Sequence, residues 1–253
     1  MSAEPVTERT AAAAGRRFGA RGLQAVPEAP SDARILPADL LYGRLLATAA
    51  QHSLGDGPPH EGALRRQDGS LDPLPLDRWL GPVDEADNEL LERVEGPVLD
   101  IGCGPGRHVA ALRAAGQASL GLDLSPVAVS ITRDRGADAV LGSVFHDVPH
   151  AGSWGTALLL DGNIGIGGAP GALLRRAREL LRPGGTVLVE IDAPGTPNSR
   201  TQVRLEAPGV VSEWFAWAHV GIDGVEAVAE DAGLAPAWTL CAGGRWFAAL
   251  RSA

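Results

Sequence analysis

The chain is 253 residues long, 45% hydrophobic and 21% charged, with no apolar run near the eighteen or so residues a membrane span requires, so one sizeable α/β domain with an appended segment is expected, away from any membrane. A formal charge of −9, from 22 Lys plus Arg against 31 Asp plus Glu, repels phosphate backbones over most of the surface and excludes nucleic acid as the expected partner. Cys103 and Cys241 form neither a disulfide framework nor a Cys-x-x-Cys pair, which points to the reducing cytoplasm, and Arg16-Arg17-Phe18 lacks the following apolar stretch of an export signal.

Residues 1–34, rich in Ala, Gly, Pro and charge without an apolar period, read as a flexible N-terminal tail. Residues 35–82 read as a cap segment. Leu40, Leu41, Leu45, Leu46 and Ala49 give an amphipathic helix over 37–52 with Tyr42 on its flank, and Asp68-Gly69 closes a short hairpin. Residues 83–253 then alternate helical and strand-like stretches: a helix over 83–93, a strand over 97–101, a helix to about 115 and a strand over 118–122. Ser125 is an N-cap with Pro126 in the first turn behind it, and a short strand follows over 139–141. The unbroken apolar run 156–160 marks a strand covered on both faces, and a helix over 172–181 stops at Pro183-Gly184-Gly185 before a strand over 186–191. A last helix over 224–232 leads to strands over 236–241 and 245–250. The link across Gly243-Gly244 is too short for a parallel crossover. The expected fold is therefore α/β: a Rossmann-like, seven-stranded, mostly parallel sheet with helices on both faces and a reversed antiparallel hairpin at its C-terminal end.

Asp100-Ile101-Gly102-Cys103-Gly104-Pro105-Gly106 places a buried strand, a loop of little side-chain bulk and a helix N-terminus in succession. Glycines let a ligand approach the backbone, and the free amides of the first helical turn face it. Asp123, at the end of the second strand, is placed to accept both ribose hydroxyls. Dinucleotides and methionine-bearing nucleotides share that much. Arg107 stands where a dinucleotide fingerprint wants a small residue, and Asp100 repels a pyrophosphate but attracts the ammonium of a methionine moiety. Both favour the methionine-bearing ligand and leave an NAD-dependent oxidoreductase as the alternative.

From residue 83 onward the sequence resembles the class I S-adenosylmethionine-dependent methyltransferases. The resemblance implies that Gly102, Cys103, Gly104 and Gly106 hold the methionine part of S-adenosylmethionine and that Asp123 holds its ribose. It also implies that Leu124 covers one adenine face while Ser143 and Val144 lie at the adenine edge. Asp161-Gly162-Asn163-Ile164-Gly165 occupies the family's variable position after the fourth strand, near the methyl group.

Methyl transfer is an in-line displacement from an activated donor, so alignment of a small-molecule acceptor matters more than a dedicated base. Where a proton must leave, histidine suits neutral pH. His219 follows Trp214-Phe215-Ala216-Trp217 in the segment where the resemblance places acceptor contacts, although such aromatic clusters more often serve packing. Trp214 and Trp217 are the candidate pocket walls. Asp161 and Asn163 are candidates for touching the cofactor or acceptor, and Asp161 is also a candidate cofactor contact. His108 opens the helix after the loop, whose N-terminus favours neutral imidazole. Catechol-type O-methyltransferases hold magnesium with an acid after the fourth strand and an Asp-Asn pair after the fifth. Here Glu190-Ile191-Asp192 offers no such pair, and no metal is expected. A non-catalytic protein that binds S-adenosylmethionine for regulation is the remaining alternative.

Overall fold

The computed structural model describes residues 30, 32–52 and 61–252, so the tail expected over 1–34 lies mostly outside the described residues. The cap begins with a short strand β1, Arg34–Leu36, and helix α1, Ala38–His52, whose buried positions Leu41, Leu46 and Ala49 follow helical spacing. A hairpin follows, β2 Ala63–Arg66 and β3 Leu71–Pro73, closed where Asp68 accepts from the Ser70 amide at 2.9 Å. A single-turn helix α2, Leu76–Leu80, ends the segment.

Helix α3, Glu85–Leu91, opens with a reciprocal capping box between Asp84 and Asp87. Then come β4 Val98–Ile101, α4 Arg107–Ala114, β5 Ser119–Asp123, α5 Pro126–Asp134 capped by Ser125, and β6 Ala139–Leu141. The central strand β7, Trp154–Leu159, is buried at every position, as a strand covered on both faces must be. A kinked 3-10 segment, Asn163–Gly168, precedes α6, Pro170–Leu180. Leu173, Leu174 and Leu180 of α6 are fully buried, contributing roughly 2 kcal/mol each. Strand β8, Leu181–Ile191, completes the parallel part.

Between β8 and the last helix the chain makes an excursion that the sequence reading left as an aromatic segment. It forms β9 Ser199–Ala207, β10 Val210–Ser212 and β11 Phe215–His219. These join the cap strands in a second sheet of order β1-β10-β9-β2-β3, with β11 also paired to β9. Helix α7, Val225–Glu230, and the hairpin β12 Leu234–Ala242 with β13 Arg245–Ser252 return the chain to the first sheet.

That first sheet runs β12-β13-β8-β7-β4-β5-β6. Strands β4 to β8 are mutually parallel, β13 runs antiparallel to β8 and β12 antiparallel to β13, as the tight Gly243-Gly244 turn requires. The seven-stranded sheet with its reversed hairpin is thus the one expected from the sequence. Among the described residues no helix is long and apolar enough to cross a membrane. Helix α1 lies against α5, and Gly43 sets the distance, since a Cβ there would meet Ser125 Oγ at 3.0 Å and Val127 Cγ2 at 3.2 Å. The two sheets therefore face a shared cavity over the carboxyl ends of β4, β5, β7 and β8.

Candidate active site

The cavity encloses about 840 Å³. One end is built by the loop after β4. The Gly102 and Cys103 amides donate to Leu122 O at 2.8 and 3.1 Å, tying the loop to β5. Asp123 reaches back from the end of β5, accepting from the Gly104 amide at 2.9 Å and from the Ser125 amide at 2.8 Å. Burial pushes its carboxyl above the usual range, against the pull of those two amide hydrogen bonds. Gly102, Cys103, Gly104, Asp123, Leu124, Ser143, Val144 and Asp161 all line the cavity, and Leu124 is 58% exposed, a leucine free to cover a planar ligand. Gly106 does not line it. Its φ of +76° turns the chain into α4, and a Cβ there would stand 2.4 Å from Thr132 Oγ1, whose hydroxyl donates to Gly104 O at 3.0 Å. Gly106→Ala is expected to cost about 2–4 kcal/mol in urea denaturation and to weaken cofactor binding, because backbone strain and overpacking act together.

Asp100 also stands off the cavity. Its carboxylate is buried beneath the loop with Oδ2 3.7 Å from His108 Nδ1, and the other ring nitrogen of His108 lies 3.3 Å from Asp87 Oδ1. Burial alone lowers the His108 pKa, but the flanking carboxylates of Asp100 and Asp87 push it up to about 9. The neutral imidazole expected from the helix terminus is thus corrected: a helix-end effect of about 0.3–1 kcal/mol loses to two carboxylates. The raised pKa stabilises the fold fully below histidine's unfolded value of about 6.5 and loses that contribution as pH rises to about 9. Urea denaturation is expected to show a fall on the order of 3 kcal/mol across that window, and His108→Gln to flatten it.

His108 belongs to a buried ionic network. Arg107 pairs with Asp87 and donates to both Asp161 oxygens at 2.9 and 3.0 Å, so the residue read as a bar to dinucleotides is a structural cation. Arg245 donates to Asp87 at 2.6 Å and to Glu190 at 2.6 and 2.9 Å, and Glu190 accepts from the Asp161 amide at 2.7 Å. From the cap, Arg78 reaches Asp161 at 3.1 Å. Asp161, at φ +54°, is held in the left-handed region with its carboxylate committed to arginines.

Asn163 gives its amide hydrogens to Ile101 O and Gly102 O at 2.9 and 2.8 Å, pinning the cofactor loop from the segment after β7. Across the cavity, β11 lines the wall along its whole length, with the large side chains Phe215, Trp217 and His219 at alternate positions. His219 Nδ1 lies 3.3 Å from Asp192 Oδ2 at the end of β8, while Nε2 is buried without a partner. Trp214 does not share this wall; it stacks on the Arg204 guanidinium at 4.9 Å. Sequence reasoning did not single out Arg78, Trp79, Asp87 or Arg245, weighed Asp192 only for a metal, and placed Tyr42 on the flank of α1. Tyr42 stands over the loop, 3.0 Å from where a Gly104 Cβ would be. Burial, followed by the charges of Asp123, Cys103 and Asp161, raises its phenol pKa well above the ordinary value.

The sheet order, the glycine loop and the acid at the end of β5 define a Rossmann-like fold with a nucleotide-sized site, and the amides and small residues lining the loop suit the methionine part of S-adenosylmethionine. Residues 98–185 match the family model of a methyltransferase domain. That stretch holds the glycine loop, Asp123 and Asn163, so the methyltransferase likeness falls on the residues that build this end of the cavity. No curated protein matches the sequence. Solved structures share the fold. An S-adenosylmethionine-dependent methyltransferase from Bacteroides fragilis, in complex with S-adenosyl-L-homocysteine, is 23% identical with a TM-score of 0.71, covering 88% of this chain and 100% of that one. The CcbJ methyltransferase from Streptomyces caelestis is 18% identical with a TM-score of 0.54, covering 69% and 92%. CalS10, an amino pentose methyltransferase from Micromonospora echinaspora, is 17% identical with a TM-score of 0.50, covering 66% and 90%.

Proposed function

We propose that the chain methylates a small molecule held in the cavity between its two sheets. The observation that carries this reading is the continuity of one space of about 840 Å³ from the glycine loop to the aromatic face of β11, within the range of ligand pockets. Bound at the loop, S-adenosylmethionine supplies an electrophilic methyl carbon. The loop amides and Asn163, through its hold on the loop carbonyls, position the methionine part; Asp123 accepts from the ribose; Leu124, Ser143 and Val144 enclose the adenine. The second sheet closes over the far end of the cavity and excludes bulk water from the acceptor.

A net charge of −9 supports a small acceptor over nucleic acid, and two free cysteines support a cytoplasmic setting. The fold shared with an amino pentose methyltransferase is in keeping with a small acceptor. Calorimetric titration with S-adenosyl-L-homocysteine is the direct test of the cofactor end, with micromolar or tighter binding expected. Formation of S-adenosyl-L-homocysteine from S-adenosylmethionine only in the presence of a small-molecule extract tests the acceptor end. Turnover on RNA or DNA in its place would overturn the reading.

A further inference from the structure

Among the described residues, buried polar side-chain atoms without a hydrogen-bond partner concentrate at the cavity: His219 Nε2, Trp79 Nε1 and Arg78 Nε belong to residues that line it, Arg78 Nη2 has only its ion pair with Asp161, and Asp100 Oδ2 lies beneath the loop. Each such atom costs about 1–3 kcal/mol unless a ligand satisfies it. They sit on different elements. His219 is on β11, whereas Arg78 and Trp79 are on α2 of the cap. Between them the walls are aromatic. Tyr42 and Trp79 form an edge-to-face pair at 6.0 Å and 75°, and Phe215 and Trp217 form another at 6.2 Å and 83°.

The acceptor wall is tied to the cofactor loop through the segment after β7. Gly165 lies so close to β11 that a Cβ would come within 2.3 Å of Ala218 O and 2.6 Å of Trp217 Nε1, and Asn163 of the same segment holds the carbonyls of Ile101 and Gly102. His219 and Asp192 stand at the end of β8, two strands from β4 in the sheet, or about 10 Å at the usual strand spacing.

We propose that the acceptor is a planar aromatic compound bearing a hydroxyl group that gives its proton to His219, and a second oxygen that accepts from Trp79, with Asp192 as the positioning residue. The proposal rests on the small-molecule methyltransferase reading and names its substrate class. Asp192, at Nδ1, favours the tautomer that leaves a lone pair on Nε2. The acceptor O–H proton passes to Nε2, an oxygen lone pair forms the O–C bond to the methyl carbon, and the C–S bond breaks with its electron pair staying on sulfur. A phenol ionises near 10, within reach of an imidazole base, whereas an aliphatic alcohol is far beyond it. An ammonium acceptor would draw instead on the Asp39 and Glu213 carboxylates that also line the cavity, and the amino sugar in the test below separates the two classes.

The test uses the full chain saturated with S-adenosyl-L-homocysteine, titrated calorimetrically with 2,7-dihydroxynaphthalene and separately with glucosamine. Binding of the naphthol and not of glucosamine is expected. Trp217→Ala, which strips the wall, and Trp79→Phe, which keeps a ring but removes the donor, are each expected to weaken naphthol binding at least fivefold while S-adenosyl-L-homocysteine binding stays within twofold. With S-adenosylmethionine, the wild type should methylate the naphthol oxygen. His219→Ala should lower kcat about 10²- to 10⁴-fold and abolish the acidic limb of the kcat/KM profile. Asp192→Asn should lower kcat with KM nearly unchanged and move that limb to lower pH, because the imidazolium loses its carboxylate partner; a merely structural role would leave the limb in place. Binding of glucosamine instead, no naphthol binding by the loaded protein, binding without methylation, or indifference of binding and turnover to Trp79→Phe and His219→Ala overturns the proposal. Failure to bind S-adenosyl-L-homocysteine overturns the methyltransferase reading instead.

Discussion

Asp123→Ala is expected to raise the Kd for S-adenosylmethionine by two to three orders of magnitude in calorimetric titration. In the proposed role the carboxylate accepts both ribose hydroxyls, and a charge-assisted hydrogen bond contributes about 1.5–3 kcal/mol, so losing two at the lower end of that range removes about 3–4 kcal/mol of binding. The same carboxylate also braces the loop through the Gly104 and Ser125 amides, and in the variant those amides turn to solvent and the loop loses its preorganisation. Stability should fall by less than binding does, since both amides sit at the wall of an open cavity and water replaces the lost acceptor. Asp123→Asn keeps one acceptor oxygen and should lose only about tenfold, because the charge and not the shape is removed. An unchanged Kd in Asp123→Ala would refute the assignment of Asp123 to the ribose.

The parts of the fold that could be read from sequence are those set by short-range physics. Ser125 with Pro126, the unbroken apolar run of β7 and the Gly243-Gly244 turn each declare themselves within a few residues, and each appears in the structure as expected. The second sheet escaped because its pairing is distant in sequence: Arg65 donates to Glu206 across 141 positions at 2.6 Å. A signal was nevertheless present. Val203, Leu205 and Ala207 alternate with Gln202, Arg204 and Glu206, the period of a strand with one face buried, but the run is short and the aromatics that follow do not continue its polar positions. Trp217, within β11, lines the cavity, whereas Trp214, just before the strand begins, stacks on Arg204. The glycine loop and its place on the cavity wall were legible because backbone conformation and a single acid define them. The acceptor wall and the ionic network were not, since they depend on which distant side chains meet: Asp192 with His219, and Asp87 with Arg107 and Arg245.

Asp87→Ala is expected to destabilise the protein by about 4–6 kcal/mol, a large fraction of the roughly 5–15 kcal/mol that holds a domain of this kind together. Asp87 is fully buried and faces three cationic side chains, Arg107, Arg245 and His108. Removing one partner of a buried ion pair costs about 3–5 kcal/mol, because the remaining charges stay in low dielectric without compensation. The substitution also deletes half of the capping box of α3, in which Asp87 accepts from the Asp84 amide at 3.1 Å, for about 1 kcal/mol more. Asp72→Ala is the matched control: it breaks the half-exposed Arg66 pair and should cost under about 1 kcal/mol. Burial alone would raise the Asp87 pKa, but hydrogen bonds from His108 and Arg245 hold it well below the usual carboxylate range. A depressed pKa stabilises the folded state above the unfolded value of about 4 and loses that contribution as pH falls through and below it. Urea midpoints measured from pH 6 down to pH 2 should therefore drop steeply in the wild type and much less in the variant. Arg107 carries the damage to the cavity, since the guanidinium released by Asp87 is the one that holds Asp161 in its left-handed conformation beside the cofactor loop. Loss of methyl transfer in Asp87→Ala should accordingly exceed the loss expected from the unfolded fraction alone, a difference that activity normalised to folded protein at low temperature measures directly.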